Sequence, residues 1–228
     1  PGDPQLAYAM GRLQALLDRQ LEALKYFRRA LAADPFLVEA YLGAAQVCLR
    51  NQLNEEAEKY ARAGLQRRPD PQLRYVLAMA LVAQTRIEDA IDNLELFVRM
   101  RPRDRDAARM LSQLLCTKAI AGMGDKPHAE LERLLDEAVA CNPQEPRVDI
   151  VRGKMCRDRR DFQGAVDHLE RARKVFPDFD DVTRMLAESY RDLGYSRLMG
   201  KPKDEDGAVA AWHQFLAVAP AAVDTGAV

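Results

Sequence analysis

Two acidic clusters, four cysteines and three histidines are the side chains of this chain that are best suited to chemistry. Neighbouring carboxylates can act as general acids and bases, and cysteine and histidine are common ligands of zinc. The acidic clusters are Glu55-Glu56-Glu58 and Asp204-Glu205-Asp206. The cysteines and histidines are Cys48, Cys116, Cys141, Cys156, His128, His168 and His213. Whether any of them form a site depends on their spacing and on the elements that hold them.

The spacing of these residues does not indicate an active site or a metal site. The sequence has no CxxC pair and its histidines lie far apart, so we expect reduced cysteines, packed mainly as small hydrophobic side chains. It also lacks a glycine-rich phosphate loop and the GxSxG and HExxH motifs. Both acidic clusters lie near predicted helix starts, where negative charge is favourable. We therefore predict no catalytic residue, no cofactor and no metal ion, and hence no enzyme.

The overall composition restricts the possible partners. The chain of 228 residues has 34 basic and 35 acidic side chains, and this balance predicts that nucleic acid is not a partner. No apolar run approaches the roughly 20 residues that span a bilayer, so we expect no direct membrane insertion. Reduced thiols slightly favour a reducing compartment such as the cytoplasm, and the localisation is otherwise unknown.

The elements that hold these side chains are predicted to be pairs of helices. Between residues 7 and 35, apolar residues recur at three- and four-residue spacing up to Leu17 and again from Leu21, with a polar break between them. Pro35 then ends the second helix, because proline restricts the residue before it and cannot continue the hydrogen-bond ladder. Prolines recur with a period close to 34 residues, at Pro1, Pro35, Pro69, Pro102, Pro143, Pro177 and Pro220. This period indicates a repeat architecture.

Small and bulky residues keep fixed places within this period. Small residues form one column in the first helices, namely Gly11, Ala45, Ala78, Ser112, Gly153 and Ala187. Alanines form a second column in the second helices, namely Ala23, Ala57, Ala90, Ala165 and Ala208. Together with the bulky residues that follow and the closing prolines, these columns resemble the tetratricopeptide repeat (TPR) family over residues 4–220. The resemblance implies an all-α fold, a right-handed superhelical solenoid of antiparallel helix pairs with a concave groove lined mainly by first helices.

We expect residues 1–228 to form a single solenoid domain of six repeats. The predicted repeats are 4–37, 38–70, 71–104, 105–145, 146–179 and 180–222, with a short tail at 223–228. Because Pro1 holds the place that closes a repeat, we also expect the chain to begin inside a longer protein.

The fourth and sixth repeats are longer than the others, with predicted inserts at 122–128 and 196–204. The two inserts have similar sequences, Met-Gly-Asp-Lys-Pro and Met-Gly-Lys-Pro, and their first helices are expected to be extended by about two turns. Two interpretations remain open. The inserts are either tolerated loops of a duplicated block or projections that grip a partner or another copy.

The resemblance places the partner-binding groove on first-helix side chains beside the small-residue column. The predicted groove residues are Tyr8, Arg12, Leu42, Gln46, Tyr75, Met79, Arg109, Gln113, Ile150, Lys154, Arg157, Arg184, Glu188 and Arg191. Their character changes from aromatic, apolar and amide groups to basic groups along the chain, with little acid beyond Glu188 to offset them. An extended ligand with an apolar end and an acidic end would complement this gradient.

These observations predict a protein–protein interaction scaffold that binds a peptide or helix of a partner in the groove, and the basic half of the groove favours a partner with an acidic segment. One alternative is a homo-oligomer assembled through the open repeat ends and the two projections. Another is the recruiting arm of a larger enzyme whose catalytic domain lies outside this chain. The sequence does not identify the partner.

Overall fold

The structure, a computed structural model, describes residues 2–177 and 179–219. Within these residues the chain forms twelve α-helices and no strand. The first helices of successive pairs are α1 (Pro4–Leu16), α3 (Val38–Arg50), α5 (Pro71–Ala83), α7 (Arg105–Ala121), α9 (Pro146–Asp158) and α11 (Asp180–Met199). The second helices are α2 (Gln20–Ala33), α4 (Asn54–Arg67), α6 (Ile87–Met100), α8 (His128–Cys141), α10 (Phe162–Val175) and α12 (Glu205–Val218). The predicted all-α fold of paired helices is therefore confirmed.

Local sequence explains where several helices begin. The side chains of Asp3 and Asp70 accept hydrogen bonds from the backbone N–H groups of Gln5 and Leu73, and each is followed by a proline in the first helical turn. Such a cap satisfies a backbone donor that has no partner within the helix, and proline has no donor to lose there. The acidic cluster at 204–206 works in the same way, because Asp204 caps α12 by accepting from the N–H of Gly207 at 2.9 Å.

The short connections within helix pairs share one backbone feature. Asp18, Gln52, Thr85 and Arg160 each have φ between 59° and 61°, the left-handed region, and each lies between the two helices of its pair. One left-handed residue reverses the chain within a few residues, so α2, α4, α6 and α10 can return along α1, α3, α5 and α9.

The fourth and sixth pairs have longer connections, at 122–127 and 200–204. Their first helices are also the longest: α7 has 17 residues and α11 has 20, whereas the other first helices have 13. The extension is therefore about one turn for α7 and about two turns for α11. The expected two turns are found in α11 only, and residues 196–199 of the predicted second insert belong to that helix.

The chain divides into two compact units, which we call unit 1 (Pro1–Leu114) and unit 2 (Leu115–Val228). In unit 1, α1 packs on α2, α3 on α4 and α5 on α6, and the pairs are joined through α2 with α3 and α4 with α5. In unit 2, α8 packs on α9, α9 on α10, α10 on α11 and α11 on α12. The helices in these contacts thus pack mainly on their neighbours in sequence, as in repeat proteins.

The two small-residue columns lie in the cores of these units. Every member of the alanine column is fully buried. A Cβ atom at Gly11 would come to 2.8 Å from the ring of Phe27, and one at Gly153 would come to 2.7 Å from Cγ of Leu169. Small residues on first helices therefore make room for bulky residues on second helices, as the sequence predicts.

Several predicted features lie outside the described residues. They are the tail 223–228, the end of the sixth repeat at 220–222, and the marker prolines Pro1 and Pro220. Among the described helices, none combines the length and the apolar character that crossing a membrane requires.

Candidate functional site

Four predicted groove residues lie together in unit 1. They line a cavity of about 200 Å³ that we call the unit 1 cleft. The lining residues are Tyr8, Arg12, Ala15, Leu16, Phe27, Glu39, Leu42, Gly43, Gln46, Val47 and Arg50. They come from α1 and α3, with Phe27 contributed by α2. The structure thus brings four of the predicted residues, Tyr8, Arg12, Leu42 and Gln46, to one surface.

The unit 1 cleft has an aromatic floor and a polar edge. The rings of Tyr8 and Phe27 lie 6.0 Å apart, and the guanidinium of Arg12 lies 5.8 Å from the centroid of Tyr8. Glu39 receives a hydrogen bond from Arg68 at 2.9 Å, and hydrogen bonds from the backbone and from Arg68 lower the pKa of its carboxyl. Such a surface can accept an apolar side chain while offering amide and charged groups at its edge.

Two clefts lie next to each other in unit 2. The first, which we call the anchor cleft, has a volume of about 320 Å³ and is lined by Ile120, Arg147, Ile150, Lys154, Phe176, Phe179, Asp181 and Met185. The second, which we call the basic cleft, has a volume of about 430 Å³ and is lined by Met123, Lys154, Arg157, Asp158, Arg160, Phe162, Met185 and Asp192. Because Lys154 and Met185 line both clefts, the two form adjoining parts of one surface.

The predicted arginines of unit 2 are more fully paired with acids than the sequence suggests. Arg157 donates to Glu188 at 2.6 Å and lies 3.5 Å from Asp192. Arg184 pairs with Asp181 at 2.5 Å, and Arg191 pairs with Asp192 at 3.1 Å. The expectation that little acid beyond Glu188 offsets these arginines is therefore wrong. Asp181 lies three residues from Arg184 and therefore on the same face of α11. Asp192 lies next to Arg191 in sequence and reaches Arg157 because α9 and α11 are close there.

Lys154 differs from these arginines. Within the described residues its ammonium group makes no ion pair and no side-chain hydrogen bond. It is partly buried on α9, at the boundary of the two unit 2 clefts. It is thus a cation that a ligand can reach without first breaking a salt bridge.

The remaining predicted groove residues lie in varied surroundings. Tyr75 packs on Phe97 with ring centroids 5.2 Å apart, and burial, with smaller contributions from Asp104 and Asp106, raises the pKa of its phenol. Met79 and Gln113 are partly buried on α5 and α7. Arg109 is exposed and lies 3.3 Å from Asp106.

Sequence reasoning missed the aromatic and apolar wall of the anchor cleft. Phe176 and Phe179 lie in the connection between α10 and α11, with ring centroids 6.2 Å apart, and Ile120 lies in the last turn of α7. The prediction considered first-helix positions alone, whereas these side chains belong to a connection and a helix end. Two phenylalanines around Pro177 in a predicted turn are the signal that could have indicated them.

The chemically capable residues named at the outset have structural surroundings. Glu55 and Glu56 lie in the first turn of α4, and Glu205 and Asp206 lie in that of α12. Burial is the main cause that raises the pKa of Cys48 to about 11 and that of Cys116 to about 12. His168 pairs with Asp149 at 2.7 Å. Across the part of the chain that the structure describes, no cluster of three or more His, Cys, Asp or Glu side chains is arranged to hold a metal ion.

Comparisons with known proteins agree with this fold. Residues 5–72 and 75–120, half of the chain, match the family model of the tetratricopeptide repeat. No curated protein matches the chain.

Several solved structures are similar. YrrB, a TPR protein with an unusual peptide-binding site, has a TM-score of 0.62 and 19% identity over 79% of this chain and 90% of its own. MamA AMB-1 has a TM-score of 0.58 and 15% identity over 77% and 93%. A tetratricopeptide repeat protein from Parabacteroides merdae has a TM-score of 0.57 and 10% identity over 96% and 94%. At these identities the similarity shows the fold alone.

Proposed function

Because this chain belongs to the tetratricopeptide repeat family, we propose that it is a protein-interaction scaffold whose first helices bind an extended peptide or a helix of a partner protein. The observation that carries this proposal is the unit 1 cleft, where Tyr8, Arg12, Leu42 and Gln46 combine an aromatic floor with polar edges. Protein interfaces have this organisation, an apolar centre surrounded by polar groups. YrrB has the same fold and a peptide-binding site, which makes a peptide a reasonable first ligand to test.

The proposed role is non-catalytic. The acidic residues that could serve as acids or bases take part in helix ends and ion pairs. Glu56 accepts from Arg28 at 2.8 Å, and Asp204 caps α12. Cys48 and Cys116 are buried with raised pKa values, which disfavours a nucleophilic thiolate.

Selection of a random-peptide display library on the full chain tests the proposal. Selected peptides would be synthesised with a fluorescein label, and their affinity measured by fluorescence anisotropy. We expect binding that saturates. Leu42→Arg should weaken peptides that bind the unit 1 cleft, because a charged side chain would replace an apolar one there. Lys154→Glu should weaken peptides that bind unit 2. Lys25→Glu is the matched control, since Lys25 lies exposed on α2 and its ion pair is with Glu22 of the same helix. A library that yields no binding peptide contradicts the proposal.

Self-assembly is a second candidate because one face of α1 is apolar and exposed. Leu6 and Leu13 are 62% and 46% exposed, although the residues one period later, Ala40 and Val47, are almost fully buried against the preceding pair. Another helix pair, from a second copy, could cover this face. Sedimentation velocity at rising concentration would then show association that Leu6→Glu/Leu13→Glu abolishes, whereas a monomer at all concentrations would exclude it.

A further inference from the structure

We infer that the anchor cleft of unit 2 is a pocket for a large apolar side chain of an acidic peptide, with the peptide's carboxylates held by Lys154 and Arg147. This inference rests on the proposed function and adds to it the pocket, the type of anchor residue and the charge of the ligand.

The first step is the convergence of exposed apolar side chains on one concavity. Ile120, Phe176 and Phe179 are 42%, 39% and 45% exposed, and they come from the end of α7 and the connection before α11. With Ile150 and Met185 they surround the anchor cleft. Ile150 is buried at 8% exposure and Met185 is partly buried, so three exposed apolar side chains remain around the cavity. Single exposed apolar residues are ordinary on protein surfaces, but three around one cavity indicate a surface that a partner covers.

The second step is size. The volume of about 320 Å³ lies at the lower end of the range of about 300–1,000 Å³ that is typical of ligand pockets. Such a space holds one large apolar side chain with its backbone more readily than a bulky cofactor. The walls are aromatic and thioether side chains, which pack well against phenylalanine, tryptophan, leucine or methionine.

The third step is charge at the edge of the pocket. The anchor cleft is lined by two cations, Arg147 and Lys154, and one carboxylate, Asp181. Asp181 is already paired with Arg184, whereas Arg147 reaches Glu145 only at 4.0 Å. Lys154 has no ion pair among the described residues. The charges that remain available are therefore positive, which complements an acidic ligand.

The adjoining basic cleft extends this complementarity. Its acid Asp192 is occupied by Arg157 and Arg191, which leaves Lys154 and Arg160 against a single carboxylate, Asp158. Met123, from the 122–127 connection, adds an apolar contact there. A peptide that places an apolar residue in the anchor cleft and continues past Lys154 would thus meet further positive charge.

The experiment uses the full chain and the random-peptide display library described above. Selected peptides should carry a large apolar residue within a few positions of Asp or Glu. Labelled peptides should lose about tenfold or more in affinity with Phe176→Ala/Phe179→Ala, as for removal of an anchor contact. The matched control is Phe36→Ala, because Phe36 is 71% exposed in the equivalent connection between α2 and α3.

The charge is tested separately. Lys154→Glu should weaken the same peptides about tenfold and reduce the dependence of affinity on salt, whereas Lys25→Glu should leave both unchanged. Circular dichroism of each variant establishes that it is folded before its affinity is interpreted.

The outcomes separate this inference from the proposed function. Peptides that bind and depend on Leu42, but not on Phe176, Phe179 or Lys154, would leave the scaffold standing and overturn the anchor pocket. Peptides without acidic residues would overturn the charge assignment. A chain that sediments as a dimer, and becomes a monomer on Phe176→Ala/Phe179→Ala, would identify the occupant as a second copy and overturn the peptide. A library without binders would contradict both proposals.

Discussion

Gly43 lies so close to the ring of Phe27 that a Cβ atom at Gly43 would come to 2.5 Å from Cζ of the ring. Phe27 is fully buried between α1 and α3 and forms part of the floor of the unit 1 cleft. The absence of a side chain at Gly43 therefore allows the aromatic floor to form. Gly43 also lines that cleft, so packing and the proposed binding surface depend on the same contact.

The first prediction is that Gly43→Ala destabilises unit 1 and disturbs its cleft. Alanine favours a helix over glycine by about 1 kcal/mol, but the clash with a buried ring costs about 1–3 kcal/mol. We expect a net loss of about 1 kcal/mol in the free energy of unfolding, measured by urea denaturation followed by circular dichroism. In the Phe27→Leu background the same change should cost less, because leucine leaves room for the methyl group. Equal cost in both backgrounds would contradict the contact.

The second prediction separates a structural arginine from a binding lysine on the same helix. Arg157 has a side chain that is only 23% exposed and joins α9 to α11 through Glu188 and Asp192. Arg157→Ala removes the partner of Glu188, whereas Asp192 keeps Arg191, and it should cost about 1–2 kcal/mol of unfolding free energy. Lys154→Ala removes no ion pair and should change the stability by less than about 0.5 kcal/mol.

The measurement is again urea denaturation, with both variants compared at the same pH and salt concentration. The effect on peptide affinity should be separate from the effect on stability. Lys154→Ala should weaken the binding of peptides selected on the full chain while the fold is unaffected. Equal stability losses would show that Lys154 also has a structural partner. Lys154→Glu alone is therefore a cleaner probe than a variant that also reverses Arg157.

The helix pairs could be predicted from the sequence because their causes are local. The proline after Asp34 and the capping side chain of Asp70 act within a few residues. The buried alanine column recurs at a fixed period, so a single sequence shows it several times. The unit 1 cleft follows from the same periodicity, since Tyr8 and Leu42 occupy equivalent places one period apart.

The character of unit 2 could not be predicted in the same way. The pairing of Arg157 with Glu188 and Asp192 depends on how α9 and α11 pack, which residue type alone does not reveal. Phe176 and Phe179 fall in a connection, outside the helical period on which the prediction of the groove depends. These contacts pair most of the expected arginines with acids and leave Lys154, Arg147 and Arg160 as the cations beside the apolar pocket.

The third prediction concerns the order in which the cysteines react. Burial is the main cause that raises the pKa of Cys116 to about 12 and that of Cys48 to about 11, and both thiols are fully buried. Cys141 and Cys156 are partly exposed, and burial also raises the pKa of Cys156. Because the thiolate is the reactive form and access also controls the rate, iodoacetamide should modify Cys141 and Cys156 before Cys48 and Cys116.

Peptide mass spectrometry after timed alkylation of the native chain gives this order directly. The chain unfolded in urea serves as the control, where all four thiols should react at similar rates. Early modification of Cys116 in the native chain would mean that α7 does not bury this side chain as described.

The fourth prediction is a pH-dependent contribution of Glu58 to stability. Partial burial opposes ionisation and is the largest single effect on this carboxyl, but hydrogen bonds from Arg62, Gln84 and Arg86 together outweigh it and lower its pKa below the usual 4.5. A carboxyl whose pKa is lower in the folded state adds stability above its unfolded pKa. That stability is lost as the pH falls through the folded value.

Glu58→Gln should therefore cost about 1 kcal/mol at neutral pH, because its partners Arg62 and Arg86 each lose a charged acceptor at 2.8 Å. The difference from the wild type should shrink as the pH falls below 4.5, where the wild-type carboxyl also becomes neutral. Urea midpoints measured at stepped pH values provide the test, and Glu55→Gln is the matched control because Glu55 is exposed on the same helix. A loss that stays constant down to acidic pH would contradict this prediction, because the cost of the substitution would then not depend on the charge of Glu58.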